Sequence, residues 1–72
     1  MNNLNKHIWE GWAVKDFIEA VQPGLDIVMA GESWRKPFKT REDLCKYIAD
    51  EQPYYKKRIP EVEEYFITRY GL

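Results

Sequence analysis

The chain has 72 residues, 44% of them hydrophobic and 15% aromatic, with 11 basic and 12 acidic side chains and a net charge of −1. That length allows one small domain burying only about 60% of its unfolded surface, and the apolar content argues against disorder. One cysteine excludes an internal disulfide, no apolar run approaches the ~18 residues of a membrane span, and the start lacks the apolar stretch of a signal peptide; these point to a reducing, cytoplasmic setting.

Residues 1–6, MNNLNK, are polar and asparagine-rich and read as a disordered end. Residues 7–72 read as a single all-α domain of three helices. In HIWEGW the alternation is cut by Gly11, and in SWRKPF by Pro37. A two-stranded ribbon between these two stretches is possible but would be weak alone, so the reading stays all-α.

Val14, Phe17, Ile18, Val21, Leu25 and Val28 recur at helical spacing and predict a first helix over 13–30. Pro23 and Gly24 interrupt it. A mid-helix proline loses a hydrogen bond and clashes with the preceding turn, at about 3 kcal/mol. The helix is therefore kinked at Pro23, or broken into two short helices with Pro23 opening the second. The stripe keeps its phase across the proline, which places Pro23 on the side away from the core and favours the kink. Gly31 is the natural stop.

Residues 32–39 form a connection, extended at Lys36 because Pro37 follows. Thr40 reads as the N-cap of a second helix, Arg41 to Glu51, with Glu42 and Asp43 in its first turn and Leu44, Tyr47 and Ile48 facing inward. Pro53 ends it, and Tyr54 to Arg58 form a turn. Pro60 opens the last helix in the favoured first position, Val62, Tyr65 and Phe66 make its inner face, and Gly71 closes it.

Little in this chain suggests catalysis, and it is not expected to be an enzyme or to carry a cofactor or metal. His7 is the only histidine, Cys45 the only cysteine and Ser33 the only serine. A Cys–His pair needs a third group to orient the base, and nothing in the spacing supplies one; Cys45 reads as a small core residue. Glu61, Glu63 and Glu64 are explained by their place at a helix N-terminus.

Two basic blocks remain. Arg35, Lys36, Lys39 and Arg41 interleave with Trp34 and Phe38, and Lys56, Lys57 and Arg58 follow Tyr54 and Tyr55. Cations among aromatic rings are the composition of nucleic-acid surfaces, where bases stack and phosphates pair. Against this, the net charge is slightly negative, the two blocks flank a helix about 16 Å long, and the rings are needed for the core. The plainer reading is a solvated rim with anchoring aromatics. Tryptophan and arginine are also enriched at protein–protein hot spots. Trp9 and Trp12 either fold back as a lid over the core or, with Trp34, mark a partner site.

At HIWEGWAVKDFIEAVQP and SWRKPFKTREDLCKYIADEQPYYKKRIPEV the chain resembles small proteins encoded by phages and prophages of Gram-positive bacteria, across most of residues 7–70. The resemblance implies a cytoplasmic accessory protein that binds a host or phage protein; it assigns no functional residues. The first expectation is thus a non-enzymatic protein-binding module, with Trp9, Trp12, Trp34 and Arg35 as contacts and Lys36 and Lys39 at the rim. The alternative is a small nucleic-acid-binding protein using 34–41 and 54–58, including Arg41, Tyr54, Tyr55, Lys56, Lys57 and Arg58. No membrane contact is expected, and the sequence leaves the oligomeric state and the identity of the partner open.

Overall fold

The computed structural model describes residues 4–72. In chain order the elements are β1 (His7–Trp9), β2 (Trp12–Ala13), α1 (Val14–Met29), α2 (Arg41–Glu51) and α3 (Pro60–Tyr70). The all-α expectation is therefore corrected: three helices are joined by a two-stranded antiparallel sheet. The ribbon does not link HIWEGW to SWRKPF. Both strands lie at the first of these stretches, with His7 opposite Ala13 and Trp9 opposite Trp12. Gly11, read in the sequence as a break, is the reason. Its φ of +75° supplies the left-handed position that a tight turn needs and that glycine adopts without steric cost.

So short a hairpin would not stand alone. The segment leading into it is tied to the start of α1. The first N–H groups of a helix have no partner within it. Here Val14 N–H donates to Lys6 O and Lys15 N–H to Leu4 O, each at 3.0 Å. Asp16 reaches back to accept from Ala13 N–H at 2.8 Å, and its charge suits the positive end of the helix. Of the end expected to be disordered, residues 1–3 lie outside the described residues, while Leu4 and Lys6 make these bonds and Lys6 Nζ pairs with Glu61.

α1 is one continuous helix with Pro23 inside it and exposed, rather than two short ones. Its stripe of Val14, Phe17, Ile18, Val21 and Leu25 forms the core with Leu44 and Ile48 of α2, Ile59 of the preceding loop, and Val62 and Phe66 of α3. Phe17 and Phe66 are fully buried. α2 begins at an N-cap, Thr40, whose hydroxyl accepts from Asp43 N–H at 3.2 Å. α3 starts on Pro60 and ends at Gly71, in the left-handed conformation at φ 70°.

α1 and α3 are also tied by a polar group at their surface. The Arg69 guanidinium meets both oxygens of Asp26 at 3.3 Å, and the Tyr70 hydroxyl donates to Asp26 Oδ1 at 2.5 Å. The Tyr70 bond, with help from Arg69, holds the Asp26 carboxyl below its ordinary range against the opposing effect of burial. Burial first, and then the neighbouring carboxylate, push the Tyr70 hydroxyl up to about 12. The sign of each effect fixes a pH profile. Tyr70 contributes fully below its unfolded value near ~10 and loses that contribution as pH rises through about 12. Asp26 contributes above the ordinary carboxylate range and loses its contribution as pH falls through its depressed value. Urea midpoints of the native chain should fall at both extremes, and Tyr70→Phe should flatten the alkaline arm; an unchanged alkaline arm in that variant would disprove the assignment.

Candidate functional site

The two basic blocks are treated differently by the fold. The second begins where α2 ends. Gln52, fully buried at the C-cap, turns its side-chain nitrogen onto Tyr55 O at 2.7 Å and Lys57 O at 2.8 Å. Only the nitrogen of the amide can donate to two carbonyls. These bonds curl residues 53–58 back over the helix end, through a left-handed Tyr54 at φ 63°. Lys56 Nζ then donates to Asp50 O at 2.8 Å and Gln52 O at 3.1 Å, placing a cation on the negative end of α2. Arg58 pairs with Glu63, which is buried. Lys57 Nζ stands 5.9 Å over the Tyr55 ring.

The same curl sets the aromatic lid. Trp9 stacks on Tyr54 with centroids 6.1 Å apart, and Trp12 packs on Phe17 at 5.1 Å. Tyr55 lies between Trp9 and Phe17, at 6.2 Å and 6.1 Å. Trp9 and Trp12 are both half-buried, in the fold-back arrangement.

Cys45 is buried, and its burial pushes the thiol up, with Glu63 adding to the rise and Arg58 opposing it. A protonated buried thiol is a poor nucleophile. The charged groups acting on it come from α3 and its preceding loop, while His7 is exposed on β1. Among the described residues no group of three His, Cys, Asp or Glu side chains stands ready to hold a metal ion, and no helix is long and apolar enough to cross a membrane.

The first block lies open. Trp34 is 89% exposed. The Ser33 hydroxyl accepts from Arg35 N–H at 3.3 Å, Pro37 restricts the backbone on both of its sides, and Thr40 caps α2, so the loop is tied at its two ends and stiffened at Pro37. The Arg35 guanidinium carbon lies 5.1 Å from the Trp34 ring centre, 5.4 Å from Tyr47 and 5.9 Å from Phe38. Phe38 and Tyr47 are themselves packed, centroids 5.2 Å apart. Between this loop and α2 runs a groove of about 650 Å³ whose charged lining is Arg35, Lys36, Lys39 and Lys46 against Asp43, Asp50 and Glu51.

No protein-family model, curated protein or solved structure matches this chain. Of the residues singled out by sequence, the structure brings Trp34, Arg35, Lys36 and Lys39 together and sets Trp9 and Trp12 apart with Tyr54 and Tyr55. Arg41 Nε donates to Leu72 O at 2.6 Å. Sequence reasoning missed the floor of the groove. Tyr47 reads from the sequence only as an inward-facing residue, yet Asp43 and Glu51 lie four positions to either side of it and Asp50 three, which is the spacing of one helix face.

Gln52 supports the lid through a handful of atoms. Gln52→Ala should cost about 2–4 kcal/mol, from two lost part-buried hydrogen bonds and the cavity left by a fully buried side chain. It should also weaken the near-ultraviolet dichroism of the stacked Trp9 and Tyr54. A urea midpoint and aromatic signal both unchanged from the native chain would show that Gln52 does not hold the loop.

Proposed function

We propose that the chain is a non-enzymatic protein-binding module that docks a partner on the 34–39 loop and the adjoining groove of α2. The observation that carries this is Trp34, 89% exposed on a loop that the Ser33 turn, Pro37 and the Thr40 cap hold in place. An aromatic side chain of this kind removes about 150–250 Å² from water when covered, worth roughly 4–6 kcal/mol at 25 cal/mol per Å². Leaving it in solvent forgoes that gain in the free protein and reserves it for a complex. Little loop ordering then remains to oppose binding. Arg35 beside it is the other residue type enriched at hot spots. Trp9 and Trp12 are half-buried, so the contact centres on Trp34 and Arg35, with Lys36 and Lys39 at the rim. The resemblance to phage and prophage proteins adds the setting of this proposal: an accessory factor acting in a bacterial cytoplasm on a host or phage protein.

The nucleic-acid alternative draws less support. Lys56 and Arg58 are engaged by the chain itself and Arg41 bonds to Leu72 O, while three carboxylates share the groove with the remaining cations. Surface substitutions away from buried features usually stay within about 0.5 kcal/mol, so Trp34→Ala should fold as the native chain does. In pull-downs from a bacterial lysate it should lose partners that the native chain retains; equal recovery of the same proteins would remove Trp34 as the anchor. Retardation of single- or double-stranded oligonucleotides in about 50 mM salt, falling steeply as salt rises, would instead favour the alternative.

A further inference from the structure

We infer that Arg35, beside the rings of Trp34, Phe38 and Tyr47, is a receptor for one carboxylate, so that the groove takes a segment of a protein partner carrying a single acid with an aromatic or aliphatic residue beside it. The inference rests on the docking role of the 34–39 loop and names the chemistry of what docks there.

The guanidinium is positioned without being used. Its carbon lies 5.1, 5.4 and 5.9 Å from three ring centres, within the range of cation–π contact. Ion pairs among the described residues join Lys6 to Glu61, Arg58 to Glu63 and Arg69 to Asp26; Arg35 is in none of them. The one hydrogen bond that residue donates among the described residues comes from its backbone N–H, to Ser33 Oγ. A guanidinium presents its N–H donors in a planar fork that matches the two oxygens of a carboxylate. Ring faces satisfy the charge in part and the donors not at all. The guanidinium thus stands beside three rings, exposed, with its fork open.

The surrounding charge selects what fills it. The groove is lined by four cations and three carboxylates, an excess of one positive charge. A single carboxylate neutralises that excess. A nucleic-acid strand brings a charge at every phosphate, closely spaced along its length, and would set some of them against Asp43, Asp50 and Glu51. The same three acids disfavour a run of acidic residues. Trp34, Pro37 and Phe38 border Arg35 and offer apolar surface to a neighbouring side chain of the partner, as the mixed lining of a recognition site does.

The test pans random linear peptides, displayed on phage, against the native chain. The tightest binder is resynthesised with each acid as its amide, Glu→Gln or Asp→Asn, and titrated calorimetrically against the native chain, Trp34→Ala and Arg35→Lys. The expected result is a recovered motif with one acid beside an aromatic or aliphatic residue. Affinity should drop about tenfold or more when that acid becomes an amide, and similarly on Arg35→Lys, because lysine keeps the charge and loses the fork. Peptides that weaken on Trp34→Ala but are indifferent to the amide and to Arg35→Lys would overturn the carboxylate assignment and keep the docking role. Peptides indifferent to both variants would overturn both. Recovery of no binder, or binding of single-stranded oligonucleotides alone with steep salt dependence, would overturn the proposal as well.

Discussion

One helix face carries the rest of the molecule. The stripe on α1 contributes Val14, Phe17, Ile18, Val21 and Leu25 to the core, and each such side chain gains roughly 1.5–3 kcal/mol on burial. In a chain this short no second layer exists to share the task. Every other element is therefore placed by its duty to cover that face. The hairpin closes the N-terminal end, and the carbonyls of Leu4 and Lys6 just before it accept from the first N–H groups of α1. α3 packs along the helix and is pinned at Asp26 by Arg69 and Tyr70. α2 adds Leu44 and Ile48, and the loop after it adds Ile59.

That economy separates the two basic blocks by position alone. Cations after a helix C-terminus meet free carbonyls and a negative dipole end, and Lys56 takes up two such carbonyls. Cations before a helix N-terminus meet free N–H groups and a positive end, which repel them. Arg35, Lys36 and Lys39 stand in that second situation, ahead of α2. Helix electrostatics cannot account for them, and the acids of Asp43, Asp50 and Glu51 across the groove only partly offset them. The block that the fold does not need is the one that lies beside the exposed tryptophan.

The helices were legible because their ends carry local chemistry: Thr40 accepts from Asp43 N–H, Pro60 opens α3, and Gly71 takes φ 70° beyond it. Pro23 was legible too, since the phase of the stripe sets it on the solvent side. The hairpin was not. β2 has two residues, too few for alternation to register, and Gly11 reads as a breaker unless its positive φ is known. Gln52 gave no signal, because a buried glutamine is specified by distant carbonyls rather than by its neighbours in sequence. Nor could the sequence decide which tryptophan stays outside. That depends on the curl of 53–58, which brings Tyr54 and Tyr55 to Trp9 and leaves Trp34 without a comparable partner from the core.

The least regular part of α1 bears on the groove as well. Pro23 and Gly24 both weaken a helix interior, the glycine by about 1 kcal/mol relative to alanine, and the buried stripe on either side is what keeps the helix intact across them. The proline faces solvent, where its missing N–H is least costly. The glycine faces α2: a Cβ there would stand 3.2 Å from the Tyr47 hydroxyl, closer than such contacts normally come. Its absence lets Tyr47 lie against α1 with its ring under Arg35 and beside Phe38. A larger residue would press on the ring that supports the guanidinium. The glycine of the dipeptide that most disturbs the core helix thus also leaves room for the floor of the candidate site.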